Sequence, residues 1–112
     1  VERRIAQRYD AGLLQEDLTK VLLVFPDKHE TEAHVIDITS QGFKVSVPPE
    51  GVPTCMPHER ETVEIYIEVI YLRVMCRCVH YVTDQNGNLI IGFYVFDPDD
   101  QVKLRMILDK ID

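Results

Sequence analysis

The chain has 112 residues, 46% of them apolar and 28% charged, with a formal net charge of −7. These values describe one domain of ordinary globular composition, large enough for a single core. The acidic balance excludes a general nucleic-acid or membrane-surface binder, which needs a dominant basic field, and no run of about 18 apolar residues offers a membrane span.

No secretory leader pattern opens the chain, and a start at Val1 rather than Met is expected of an excised domain or a processed protein. The cysteines are Cys55, Cys76 and Cys78. Cys76 and Cys78 lie two apart in a strand-like run, on one face and badly placed for an unstrained disulfide. Reduced thiols and a cytoplasmic location are expected.

Residues 1–19 read as an N-terminal arm carrying Arg3, Arg4 and Arg8, and residues 20–112 as a β domain. Lys20 to Phe25 is the first expected strand, stopped by Pro26. Glu32 to Ile38 is the second, with Ala33, Val35 and Asp37 expected on one face and His34, Ile36 and Ile38 on the other. Asp37-Ile38-Thr39-Ser40-Gln41-Gly42 then reads as a tight connection. Asp37 and Thr39 suit local backbone hydrogen bonds, and Gly42 suits a positive φ. The same stretch turns a carboxylate and a hydroxyl outward, so it reads either as a plain hairpin turn or as a hold for a polar ligand.

Phe43 to Val47 is the third strand, ended by Pro48-Pro49. Residues 48–59 form a proline-rich loop. In the next strand Val63, Ile65, Ile67 and Val69 share a face opposite Glu64, Tyr66 and Glu68. In the fifth, Leu72, Val74, Cys76, Cys78 and His80 share a face opposite Arg73, Met75, Arg77 and Val79. Asn86-Gly87 marks a hairpin before the last strand, Leu89 to Phe96. Asp97-Pro98-Asp99-Asp100 opens a helix with acids at its positive end and an apolar stripe of Val102, Leu104, Ile107, Leu108 and Ile111. The pattern predicts a six-stranded antiparallel β-barrel with a C-terminal helix across one open end.

Cys76, Cys78 and His80 do not make a metal site, because i, i+2, i+4 positions on a strand spread by about 7 Å per step. Nothing marks a strained nucleophile turn or an oxyanion hole, and the terminal acids read as helix capping, so neither a metal nor a catalytic residue is assigned. The arginines carry more. Arg4 and Arg8 are four apart, with Arg3 adjacent, and guanidinium forks pair bidentately with phosphate and with guanine O6 and N7. A carboxylate such as Asp37 accepts from a guanine N1–H and exocyclic amine. By itself the arginine spacing equally suits a solvated arm.

Taken together, Arg4-Ile5-Ala6-Gln7-Arg8 and, after 28 intervening residues, Asp37-Ile38-Thr39-Ser40-Gln41-Gly42 resemble the RxxxR and D/N-x-S-x-x-G motifs of the PilZ family. Val74 to Val82 and Ile91 to Phe96 look like that family's last two strands, and Leu104, Leu108 and Ile111 like its helix. The resemblance implies a bacterial, non-enzymatic receptor for the second messenger cyclic di-GMP, needing no cofactor and binding neither DNA nor RNA. It implies that Arg4 and Arg8 hold guanines and phosphates, that Asp37 accepts from a guanine edge, that Thr39 supplies a hydroxyl and that Gly42 permits close approach. An arginine at Arg3 resembles the arrangement that favours a stacked, two-molecule ligand. Thr39 stands where the family usually has serine, and the Arg8–Lys20 connection is longer than the family's. Ligand binding is expected to rearrange the arm and its contacts with another protein or domain. The alternative expectation is a PilZ-like barrel that binds no nucleotide and serves as a protein-interaction module, with Tyr66, Arg73, Met75 and Arg77 as its surface.

Overall fold

A computed structural model describes residues 9–10, 19–58 and 60–109. The strands are β1 (Tyr9–Asp10), β2 (Lys20–Val24), β3 (Glu30–Thr39), β4 (Gly42–Val47), β5 (Val63–Ile67), β6 (Leu72–Thr83) and β7 (Leu89–Val95), followed by helix α1 (Pro98–Asp109). All pairings are antiparallel, and β2–β3–β4–β7–β6–β5 closes back on β2. This is the expected six-stranded barrel with its C-terminal helix.

Alternation builds the core. Val21 and Leu23, Val45 and Val47, Val63 and Ile65, Val74 and Cys76, and Ile91 and Val95 all point inward and are buried, as period-two strands with one solvated face require. Burial pushes the Cys76 thiol pKa up, with the Asp100 carboxylate adding to the effect, and burial likewise raises that of Cys78. Both behave as small core hydrophobes.

β1 falls inside the stretch read as an arm. Its two residues lie alongside β3, with Tyr9 opposite Ile38 and Asp10 opposite Asp37. β2 pairs with the first half of β3 and β1 with the end of the same edge, while β4 takes the other edge. The strand expected to run through Val69 ends at Ile67 and passes into a 3-10 turn over Glu68–Ile70.

Helix α1 starts where Asp97 Oδ1 accepts from the Asp99 amide at 2.9 Å and Pro98 fills the first helical position. Asp100, Leu104 and Leu108, spaced i, i+4, i+8, form its buried face. Val102, expected in the apolar stripe, is 49% exposed: two residues from both Asp100 and Leu104, it lies about 200° round the helix from that face, and the carboxylate of Asp100 holds the place instead. Asp100 Oδ2 accepts from the Met75 amide of β6 at 3.0 Å, and Lys103 sits 4.0 Å from its other oxygen. Asp100→Ala would leave a part-buried amide without its acceptor, and a loss of about 1–3 kcal/mol is expected in urea unfolding, with Asp100→Asn losing less.

The β6–β7 loop is organised by Asp84, which accepts from the Asn86 amide at 2.8 Å, the Asn88 amide at 2.9 Å and the Asn88 side chain at 3.2 Å. Gly87 takes φ of 84°. Desolvation, which alone would raise the Asp84 pKa, is outweighed by hydrogen bonds from Asn88, Asn86 and Gly87, and the net shift is downward. A depressed folded-state pKa contributes stability in full above the unfolded-state pKa and loses it as pH falls through the folded-state value. Denaturant unfolding is therefore expected to show Asp84→Asn less stable than wild type at neutral pH, with the gap closing on acidification.

Candidate functional site

Two long strands change the facing of their side chains partway along. In β3, Val35 pairs with Val45 and Asp37 with Lys44, leaving Ile36 as an extra residue. In β6, Cys78 pairs with Phe93 and His80 with Gly92, leaving Val79 extra. A bulge of one residue inverts everything beyond it. Asp37 consequently does not share the inward face of Ala33 and Val35, as simple alternation predicts. It turns outward, and Ile38 enters the core at 4% exposure. His80 likewise leaves the face of Cys76 and Cys78 and stands on the outside.

The registers then align across four strands. Asp37 on β3, Lys44 on β4, Gly92 on β7 and His80 on β6 form one transverse row on the outer surface. Directly behind it runs a buried row of Ile38, Phe43, Phe93 and Cys78. A neighbouring outer row runs Thr39, Gly42, Tyr94, Arg77. Each outer row lacks one side chain, Gly42 on β4 and Gly92 on the adjacent β7. A groove of about 380 Å³ opens over them, lined by Asp37, Thr39, Lys44, His80 and Tyr94 among others. Small-ligand sites typically run to about 300–1,000 Å³.

Gly42 has a reason other than the positive φ expected for it. The left-handed glycine among the described residues is Gly87. At Gly42 a Cβ would stand 2.6 Å from the Phe93 carbonyl oxygen, so the residue is what lets β4 and β7 pair at this point. The turn itself is two residues long, Thr39 pairing with Gly42. Thr39 Oγ1 accepts from the Gln41 amide at 3.0 Å, and the Gln41 carbonyl accepts from the Val95 amide at 2.8 Å. The Thr39 hydroxyl thus spends a lone pair on the turn and keeps its proton for donation.

Among the described residues, neither the Asp37 carboxylate nor the Lys44 ammonium takes part in an ion pair, although their strands place them opposite each other. By contrast, the outer surface over β5 and β6 is occupied by its own contacts. Arg73 lies 3.5 Å from Glu64, the Tyr66 hydroxyl reaches the same carboxylate at 3.5 Å, and the Arg77 guanidinium sits 4.4 Å from the Phe96 ring centroid. Arg3, Arg4 and Arg8 lie outside the described residues. Their connection to the site is through β1, whose Tyr9 follows Arg8 directly and pairs with Ile38. Sequence reading did not single out Lys44, Gly92 and His80 for the site, since their convergence depends on registers and bulges. The described residues hold no group of three or more His, Cys, Asp or Glu arranged for a metal ion, and none of their helices is long and apolar enough to cross a membrane.

No family model matches the chain, and no curated protein matches it by sequence. Solved structures do match in fold. The complex of K. pneumonia MrkH with c-di-GMP superposes with a TM-score of 0.69 at 14% identity, over 99% of this chain and 52% of that one. The Bacillus subtilis inhibitor of motility MotI/DgrA gives 0.65 at 13% identity, over 98% and 51%. The PilZ domain of Escherichia coli YcgR with c-di-GMP gives 0.58 at 12% identity, over 98% and 92%. The barrel is thus of the PilZ-like kind. The chain spans about half the length of MrkH and MotI/DgrA, and nearly the whole of the isolated YcgR domain.

The Gly42 contact is directly testable. Gly42→Ala sets a methyl against the Phe93 carbonyl of the paired strand, and a loss of about 1–3 kcal/mol is expected in urea unfolding.

Proposed function

We propose that this chain is a receptor module for cyclic di-GMP, with Asp37, Thr39 and Gly42 forming the barrel side of the site and Arg3, Arg4 and Arg8 the arm side. The observation that carries the reading is the outward turn of Asp37 at the Ile36 bulge, into a glycine-floored groove that Thr39 also lines. A carboxylate there with no ion pair among the described residues suits the N1–H and amine of a guanine, and the Thr39 proton suits a further acceptor on the ligand. Pairing of Tyr9 with Ile38 fixes the chain directly after Arg8 beside this strand, one Cα step of about 3.8 Å from the arginine. Guanidinium groups on the residues that precede Tyr9 in the sequence suit phosphates and guanine edges. Fold likeness to c-di-GMP complexes of MrkH and YcgR supports the same ligand.

In this reading the protein performs no chemistry. Capture of the ligand by the arginines changes how residues 1–8 sit against the barrel, and that rearrangement passes the signal to a neighbouring protein or domain. The outer face over β5 and β6 is less suited to be the working surface, because Arg73, Tyr66 and Arg77 are already engaged within the domain.

Calorimetric titration with cyclic di-GMP is expected to show salt-sensitive binding, and Arg4→Ala, Arg8→Ala and Asp37→Ala each to weaken it more than about tenfold. An Arg4→Ala/Arg8→Ala protein that bound as wild type would remove the arm from the site. No thermal shift with the ligand, beside a stable complex with a protein partner, would favour a module that binds no nucleotide.

A further inference from the structure

We infer that the groove extends past the turn motif, and that Lys44, Gly92 and His80 form a second half-site for the distal nucleotide of a cyclic dinucleotide. This rests on the reading of the site given above. His80 stands three strands from Asp37 in the same transverse row, about 14 Å at the usual strand spacing of about 4.8 Å. A single nucleobase held at Asp37 does not cover that span, whereas a second base joined through phosphates does.

The far end is built for a planar group. A Cβ at Gly92 would stand 2.5 Å from His80 Nε2 and 2.7 Å from Cε1, so the imidazole lies across the strand where a side chain would otherwise project. The ring reaches that place because the Val79 bulge turns His80 outward. Val79 at 64% exposure and Tyr94 at 45% add apolar surface beside it. Imidazole and tyrosine rings both stack on nucleobases. Lys44 stands between the two ends, its ammonium without an ion pair among the described residues, where a phosphate linking the two nucleotides would pass.

The groove therefore offers a carboxylate for one base, a cation for the linkage and an imidazole for the other base. The charged and titratable groups facing His80 across it are Lys44 of β4 and Asp37 of β3, with the Tyr94 hydroxyl on β7. Gly92 acts as a selector: a larger residue there displaces the ring from the floor.

Titration of the 112-residue chain with cyclic di-GMP and with GMP tests this, using Lys44→Gln, His80→Ala, Asp37→Ala and a control on the solvent face of α1, Met106→Ala. Lys44→Gln and His80→Ala are expected to weaken cyclic di-GMP binding about tenfold each, to leave the weaker GMP binding unchanged, and Met106→Ala to bind as wild type. On wild-type protein, the His80 ring signal in an NMR titration is expected to move with cyclic di-GMP while those of His29 and His58 stay in place. That readout distinguishes contact from a structural role and needs no variant to fold. Loss on Asp37→Ala with no loss on Lys44→Gln or His80→Ala and an unmoved His80 signal would overturn the second half-site alone. Absence of cyclic di-GMP binding by wild type would overturn both it and the reading beneath it.

Discussion

The arrangement of this surface depends on a constraint of closed sheets. Side chains alternate with a strict period of two, and a barrel packed on its inner face fixes which member of each pair points out. A residue on the wrong parity reaches the surface through a bulge, at the cost of an unpaired backbone position. The extra residues at Ile36 and Val79 accept that cost in two strands at the same level of the barrel. Without the first, Asp37 would point into the core and Ile38 into solvent. Without the second, His80 would point inward on the face of Cys76 and Cys78. Both shifts place a polar side chain outside, and the first also brings Ile38 into the core, so in β3 packing and site geometry favour the same irregularity.

Glycine completes what the bulges begin. The two outer rows meet over Gly42 and Gly92, on neighbouring strands and staggered by one row. Each answers to a steric demand visible in the barrel itself: the Phe93 carbonyl at Gly42 and the His80 ring at Gly92. The groove is thus a by-product of residues that must be small for close packing, rather than a cavity cut into the core. Its floor is held by the buried row beneath it, where Ile38, Phe43 and Phe93 are each at most 4% exposed. A surface on paired strands over a filled core is pre-organised.

Much of the fold was legible from alternation and punctuation. Val63, Ile65 and Ile67 against Glu64 and Tyr66, the Pro48-Pro49 stop, Asn86-Gly87 and the Asp97-Pro98 start each name an element without reference to the rest of the chain. What alternation cannot mark is a place where it slips. Ile36-Asp37-Ile38 reads equally well in either parity, since an isoleucine stands on both sides of the acid, and the deciding information lies in Val45 and Lys44 on the next strand. Alternation sets His80 with Cys76 and Cys78 for the same reason. Gly42 was legible as a necessary glycine, but not the necessity, because the atom it avoids belongs to Phe93, far along the chain. Counting apolar residues misplaces Val102: the buried stripe of α1 begins at an acid, Asp100, whose partner is the Met75 amide.

The turn motif alone supplies one carboxylate and one hydroxyl, of which the hydroxyl already accepts from the Gln41 amide. Such a pair is too little to hold a doubly charged ligand against an acidic protein of net charge −7. On the proposed reading the balance would come from cations close to the groove, of which the described sheet supplies Lys44, since Arg77 is occupied with Phe96 and Arg73 with Glu64. The proposed remainder is the arginines that precede β1 in the sequence, and β1 joins the sheet next to Asp37. On the proposed reading such a receptor would divide its labour: the sheet would read shape and base edges, and the arginines that precede β1 would neutralise the ligand, so that capture could act as a signal rather than mere occupancy.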